Sequence, residues 1–190
     1  MTRYPEIPPE DMYYEQRRVF QAVMQRRKGG LEGPFVPLVH VPGILDRLQS
    51  LGEHCRLHTE VPDKLREMAI LIAARHVAAP FEFHVHAIVA RRFNLAEEII
   101  AALAAQQRPA TMDSTEALVF DFCTAVFTDG RVCDPLFDQA EKCFGKTVII
   151  ELLATCGYYA MLGMGINVTH PPIPAVYQAD FVPAFAVPDD

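Results

Sequence analysis

The stretch from Val148 to Thr169 constrains the fold more than any other, because it is apolar around its circumference and carries one charge, Glu151. A helix apolar on every side either crosses a membrane or is buried in protein, and this one is long enough to span a bilayer. Its composition argues for burial. Gly157, Gly163 and Gly165 would let a second helix approach closely, Asn167 and the Tyr158–Tyr159 pair interrupt the apolar run, and no basic flank follows. The expectation is a core helix or one packed between subunits, with no membrane involved.

Proline and glycine punctuate the rest. Residues 1–9 contain three prolines and read as an arm. A helix is expected over 10–28, with Met12, Val19, Phe20 and Val23 inward and Gly29-Gly30 stopping it. Residues 29–41 read as an ordered loop. Pro42 suits the first turn of a helix whose apolar stripe is Ile44, Leu45, Leu48 and Leu51. Further helices are expected from about Pro62 to Ala79, from Pro80 to 93, and from Leu95 to Gln106. Asp113-Ser-Thr-Glu116 has the form of a capping box and should open a helix reaching about Thr128. Asp134-Pro135 starts another, ending near Gly145, before the long apolar helix. The proline-rich segment 170–190 reads as an extended tail, laid on a neighbouring subunit. No strand, repeat or domain boundary is legible, so residues 1–190 should form one all-α domain of about seven or eight helices.

Bulk properties exclude some functions. A net charge of -7 argues against binding a nucleic-acid backbone, and the densest basic run, Arg26-Arg27-Lys28, fits a solvated helix end. Five widely spaced cysteines are expected to be reduced thiols. The N-terminus shows no apolar leader, and a cytoplasmic location is expected.

Residues 67–86 carry the chemistry. Glu82 and His86 stand four apart, on one face of a helix, where a carboxylate and an imidazole can hydrogen-bond. In apolar surroundings such a pair moves protons near neutral pH. The plainer alternatives are a first-turn acid matched to the helix dipole and a satisfied core histidine. Glu67 has similar alternatives: a first-turn acid, or a partner for Lys64 or Arg66. Arg75 follows Glu67 by two turns on roughly the same face, so it is a candidate to meet a substrate carboxylate or to pair with Glu67 or Glu82. His84 and His86 point about 200° apart on a helix and would not hold one metal, so His84 should support the site or an interface. His54 and His58, with Glu53, Glu60 and Asp63 nearby, have zinc-ligand spacing, although a polar helix end is the commoner meaning. Cys123, Cys133 and Cys143 read as buried small apolar residues. Tyr158, Tyr159 and His170 are candidates to line a pocket or the core.

Several segments, in order, resemble the carboxymuconolactone decarboxylase and alkylhydroperoxidase-D-like superfamily. They are Leu65-Arg-Glu-Met-Ala-Ile-Leu, Arg75-His, Phe81-Glu-Phe-His-Val-His, and Ala90-Arg-Arg-Phe-Asn-Leu-Ala-Glu-Glu-Ile-Ile. Asn94 stands where the pattern has glycine, and both residues tolerate a left-handed turn. The likeness runs from Gly33-Pro-Phe-Val-Pro upstream to Glu151-Leu-Leu-Ala-Thr-Cys-Gly-Tyr-Tyr downstream.

The resemblance implies an all-α fold, assembly as a homotrimer or homohexamer with the 148–169 helix at the contact, and an active site at Glu67, Glu82 and His86. In the thiol branch of the superfamily, Glu and His relay protons to two cysteines. On this chain the cysteine positions fall on Ala79 and Glu82, neither a sulfur, so dithiol peroxidase chemistry is not expected. What the resemblance implies instead is decarboxylase-like chemistry: a lyase or isomerase, needing neither metal nor cofactor, acting on a small carboxylated lactone or oxo-acid. His86 would donate the proton, Glu82 would orient it and Glu67 would relay. Arg75, His84 and Tyr158 would contact substrate. The alternatives are a ligand-binding oligomer without catalysis and an atypical thiol peroxidase using Cys55 or Cys156.

Overall fold

A computed structural model describes residues 2–26 and 31–187, and every regular element among them is helical. In order these are α1 (Tyr14–Arg26), α2 (Phe35–Leu38), α3 (Pro42–Glu53) with a π-helical turn (His54–His58), α4 (Asp63–His76), α5 (Pro80–Arg92), α6 (Glu97–Ala104), α7 (Ser114–Asp129), α8 (Asp134–Thr169) and α9 (Ala175–Gln178). The expected stop at Gly29-Gly30 and most of the basic run at 26–28 lie outside the described residues.

Local chemistry explains most boundaries. Pro42, Pro80 and Pro135 each occupy the first turn of their helices, where a missing N–H costs nothing. Asp113 accepts from the backbone N–H groups of Thr115 and Glu116, and the Glu116 side chain accepts from the Asp113 N–H, completing the capping box. Asn94 takes the left-handed conformation, φ 60°, and closes α5. Gly145 breaks α8 in two with φ 79°, as the expected boundary there requires. Helix α4 starts at Asp63, so Glu67 lies in its second turn and not its first.

Helix α4 is the central element. Ten of its residues, Leu65 through Ala74, are buried, and α5, α7 and α8 pack around it. One apolar cluster lies between α4, α5, α6, α7 and α8 and includes Met68, Leu71, Phe83, Phe122 and Leu152. A second joins α1, α3, Ile70 of α4 and Leu162 of α8. The α3 stripe divides: Leu45 is fully buried, whereas Ile44 and Leu51 are exposed and Gln49 is buried in their place.

Among the described residues one helix, α8, is long and apolar enough to cross a membrane, and 61% of its most apolar window is covered by its own chain. The lone charge of its 148–169 segment is accounted for locally. Buried Glu151 accepts from His54 Nε2 at 3.1 Å, Thr59 Oγ1 at 2.8 Å and the Glu60 N–H at 2.8 Å. Burial raises the Glu151 pKa, and these donors outweigh it and hold the carboxyl below its usual range. His54 is therefore engaged as the partner of Glu151 rather than paired with His58 as a zinc ligand, and among the described residues no group of three or more His, Cys, Asp or Glu is arranged to hold a metal ion.

The tail differs from expectation. It turns through α9 and lies on its own chain, with Tyr177 and Phe181 edge-on to Phe81 and Phe185 edge-on to Phe83. The N-terminal arm also folds back, where the Arg3 N–H donates to the Thr169 carbonyl at 3.0 Å. Of the three periodic cysteines, only Cys123 is buried, while Cys133 and Cys143 are exposed. They lie at the amphipathic start of α8, where a ten-residue period does not follow one helix face.

Candidate active site

The corner between α4 and α5 positions the site, and α8 holds the corner. Asn167 Nδ2 donates to the carbonyls of Val77 at 2.7 Å and Ala78 at 3.2 Å. Gly163 sits so close that a Cβ there would come within 2.7 Å of Val77 Cγ2 and 2.9 Å of Ala79 Cβ. Ala78 itself takes a left-handed φ of 52°, which lets Pro80 start α5 directly against α4.

This packing brings Glu67, Glu82 and His86 together. His86 Nδ1 lies 2.7 Å from Glu67 Oε2, and its Nε2 lies 3.4 Å from Glu82 Oε1. Both carboxylates are buried, and the His86 side chain is 13% exposed. Burial disfavours the imidazolium, but hydrogen bonds to Glu67 and then Glu82 outweigh it and raise the His86 pKa from 6.5 to about 9. At neutral pH the ring is doubly protonated. Glu67 makes the shorter contact to the ring, and Glu82 holds Nε2 more loosely. The Tyr159 ring stands edge-on to His86, 4.7 Å between centroids, and burial followed by the nearby Glu82 charge pushes its phenol pKa well up.

The three groups line a cavity of about 480 Å³ together with Arg56, Arg66, Tyr158 and Tyr159. Tyr158 reaches the cavity as expected, packed against Gly52 of α3. Arg66 bonds Asp63 at 2.6 Å and Glu67 at 3.4 Å. Arg56 donates from Nε to the Gly52 carbonyl at 3.0 Å and has no acidic partner among the described residues.

Three residues expected at the site or its pocket are elsewhere. Arg75 pairs with neither Glu67 nor Glu82; its Nε donates to the Ala104 carbonyl at 2.7 Å. Eight residues of helix rotate it about 80° from Glu67 and carry it about 12 Å along the axis, which takes it out of the cavity. His84 lies on the far side of α5 from His86, edge-on to Tyr177 and Phe181. His170 caps the end of α8 and does not line the cavity. Arg56 was not singled out from the sequence, and no local signal marks it, since it lies on the π-helical turn and approaches the site only through tertiary packing. Arg66 carried a signal, its place beside Glu67 in the Leu-Arg-Glu segment.

No cysteine lines the cavity. Cys55 and Cys156, the candidates for thiol chemistry, are each 1% exposed, and burial raises the Cys55 pKa.

Likeness to solved structures shows that this all-α arrangement is the alkylhydroperoxidase-D-like fold. The chain is similar to an uncharacterised peroxidase-related protein with an alkylhydroperoxidase AhpD core from Ralstonia eutropha JMP134, with TM-score 0.75, 14% identity, and 93% and 94% of the two chains covered. It is also similar to the debrominase Bmp8, solved as a cysteine-to-alanine variant in complex with 2,3,4-tribromopyrrole, with TM-score 0.70, 17% identity, and 94% and 95% covered. The apo form of that debrominase matches with TM-score 0.69 and 16% identity. No family model and no curated protein matches the sequence.

Proposed function

We propose that the chain is a cofactor-free lyase or isomerase that delivers a proton to carbon on a small carboxylated lactone or oxo-acid. The observation that carries this reading is the position of His86, held between Glu67 at 2.7 Å and Glu82 at 3.4 Å in an open cavity that also holds an arginine without an acidic partner. An imidazolium with a pKa of about 9 is a proton donor at neutral pH, not a base.

In the decarboxylation version, Arg56 binds an anionic group of the substrate. The C–C bond to the departing carboxylate breaks, releasing carbon dioxide, and its electron pair enters the conjugated carbonyl to give a dienolate. His86 transfers its Nε2 proton to carbon, because that proton is the one held by the longer contact. Glu67 keeps Nδ1 protonated and the ring in place, and solvent returns the lost proton. The two carboxylates also make the site repel anions, so Arg56 and Arg66 are needed to admit a carboxylated substrate.

The reading includes a soluble, cytoplasmic homo-oligomer, trimer or hexamer. Its support is a stripe on α8: Ile150, Leu153, Gly157, Met161, Met164 and Val168 are all exposed and fall within an arc of about 80°. A ligand-binding role without catalysis is a weaker reading, because Glu82 faces His86 rather than an arginine alone and the cavity is open.

The test is turnover of unsaturated carboxylated lactones in deuterated water. Wild type should release carbon dioxide and place deuterium at one carbon. His86→Gln should lose activity by about a hundredfold or more, and Arg56→Gln should chiefly raise KM. Undiminished turnover in His86→Gln would remove the assignment.

A further inference from the structure

A second cavity, of about 570 Å³, lies on the side of α5 away from His86, between α5, α6 and tail residues 182–185. The proposed reaction makes no use of it. Its volume suits a small organic ligand, and much of its wall is apolar, including Phe83, Ala87, Ile100 and Phe185.

The polar groups in that wall are unusual in being incompletely paired. The Arg75 guanidinium lies over the Phe185 ring, 4.2 Å from its centroid, and spends only Nε, on the Ala104 carbonyl. It faces no carboxylate among the described residues, and burial lowers its pKa accordingly. Nε2 of His84 is buried without a hydrogen-bond partner. Arg91, by contrast, is neutralised by Glu97 through two contacts of 2.7 Å. Within the pocket one cation is therefore left over, and a half-buried charge without a counter-ion is costly.

We propose that this pocket binds a small monocarboxylate with an apolar body, its carboxylate on the Nη groups of Arg75 and its body against Phe185 of the tail. A carboxylate supplies the missing counter-charge and accepts from a guanidinium in the geometry that favours it. A single surplus cation in an apolar wall fits a monoanion better than a phosphate. The tail closes over the ligand, so occupancy and tail order are coupled.

Calorimetric titration of the full chain with benzoate and with hexanoate tests this. Wild type should bind both, methyl benzoate should bind at least about tenfold more weakly, and Arg75→Gln should weaken both acids by a similar factor. Because Arg75→Gln also loosens the tail, Ala101→Phe serves as a second variant: it fills the pocket from an exposed position and should block binding. His86→Gln should leave binding unchanged. Absence of binding by either acid, equal binding of the methyl ester, or full binding in Ala101→Phe would overturn the proposal. Loss in His86→Gln with retention in Arg75→Gln would put the acid in the other cavity and overturn it equally.

Discussion

Replacing Glu67 with Gln tests the electrostatics of the site directly. The substitution keeps the size of the side chain and removes the charge 2.7 Å from His86 Nδ1. In wild type the pKa of His86 rises from 6.5 to about 9, which corresponds to about 3 kcal/mol favouring the protonated form in the folded state. Folded protein thus holds a proton that unfolded protein releases between pH 6.5 and 9. That stabilisation is fully present below pH 6.5 and is lost as pH rises through 9. For a chain of this size, about 3 kcal/mol is roughly 6–12 °C in Tm. In Glu67→Gln, burial of the ring remains and only the looser contact to Glu82 opposes it, so the His86 pKa should fall to near or below 6.5. The assays are an NMR titration of the His86 ring proton and thermal melts at pH 6 and pH 10 for both proteins. Cys55 and Tyr159, whose pKa values burial raises, also reduce stability at high pH, but they do so in both proteins and cancel in the difference. The wild-type loss of Tm between the two pH values should exceed that of Glu67→Gln by several degrees. A wild-type His86 titrating near 6.5, or an unchanged pKa in the variant, would refute the reasoning.

Gly163→Ala should destabilise the protein by about 1–3 kcal/mol in chemical denaturation, because its Cβ would meet Val77 and Ala79 at under 3 Å and push on the corner that sets α5. Thiol titration of the native protein should show two fast groups, Cys133 and Cys143, with Cys55, Cys123 and Cys156 reacting only on unfolding. Ile150→Asp and Met164→Asp should each shift sedimentation toward a smaller species without lowering helicity, since both side chains are exposed on the α8 stripe; an unchanged assembly would move the contact to another face.

The features legible in the sequence share one property, which is that neighbouring residues decide them. Asp113 and Glu116 close their capping box within one turn, Pro42, Pro80 and Pro135 act on their own helices, and Glu82 and His86 meet through the helical repeat. The covering of most of α8 by protein, 61% of its most apolar window, also followed from composition, because a helix apolar all round but studded with glycines and an asparagine needs protein around it.

Tertiary structure decided the rest. The shorter of the two His86 contacts joins residues nineteen apart, Glu67 and His86, and depends on how α5 packs on α4 under the clamp of Gly163 and Asn167. The same packing put Arg56 and not Arg75 in the cavity that His86 lines, and turned His84 into a second cavity. A sequence determines which face of a helix a side chain shares, but the direction that face points is set by the helices around it, and on α4 and α5 that direction separates one cavity from the other.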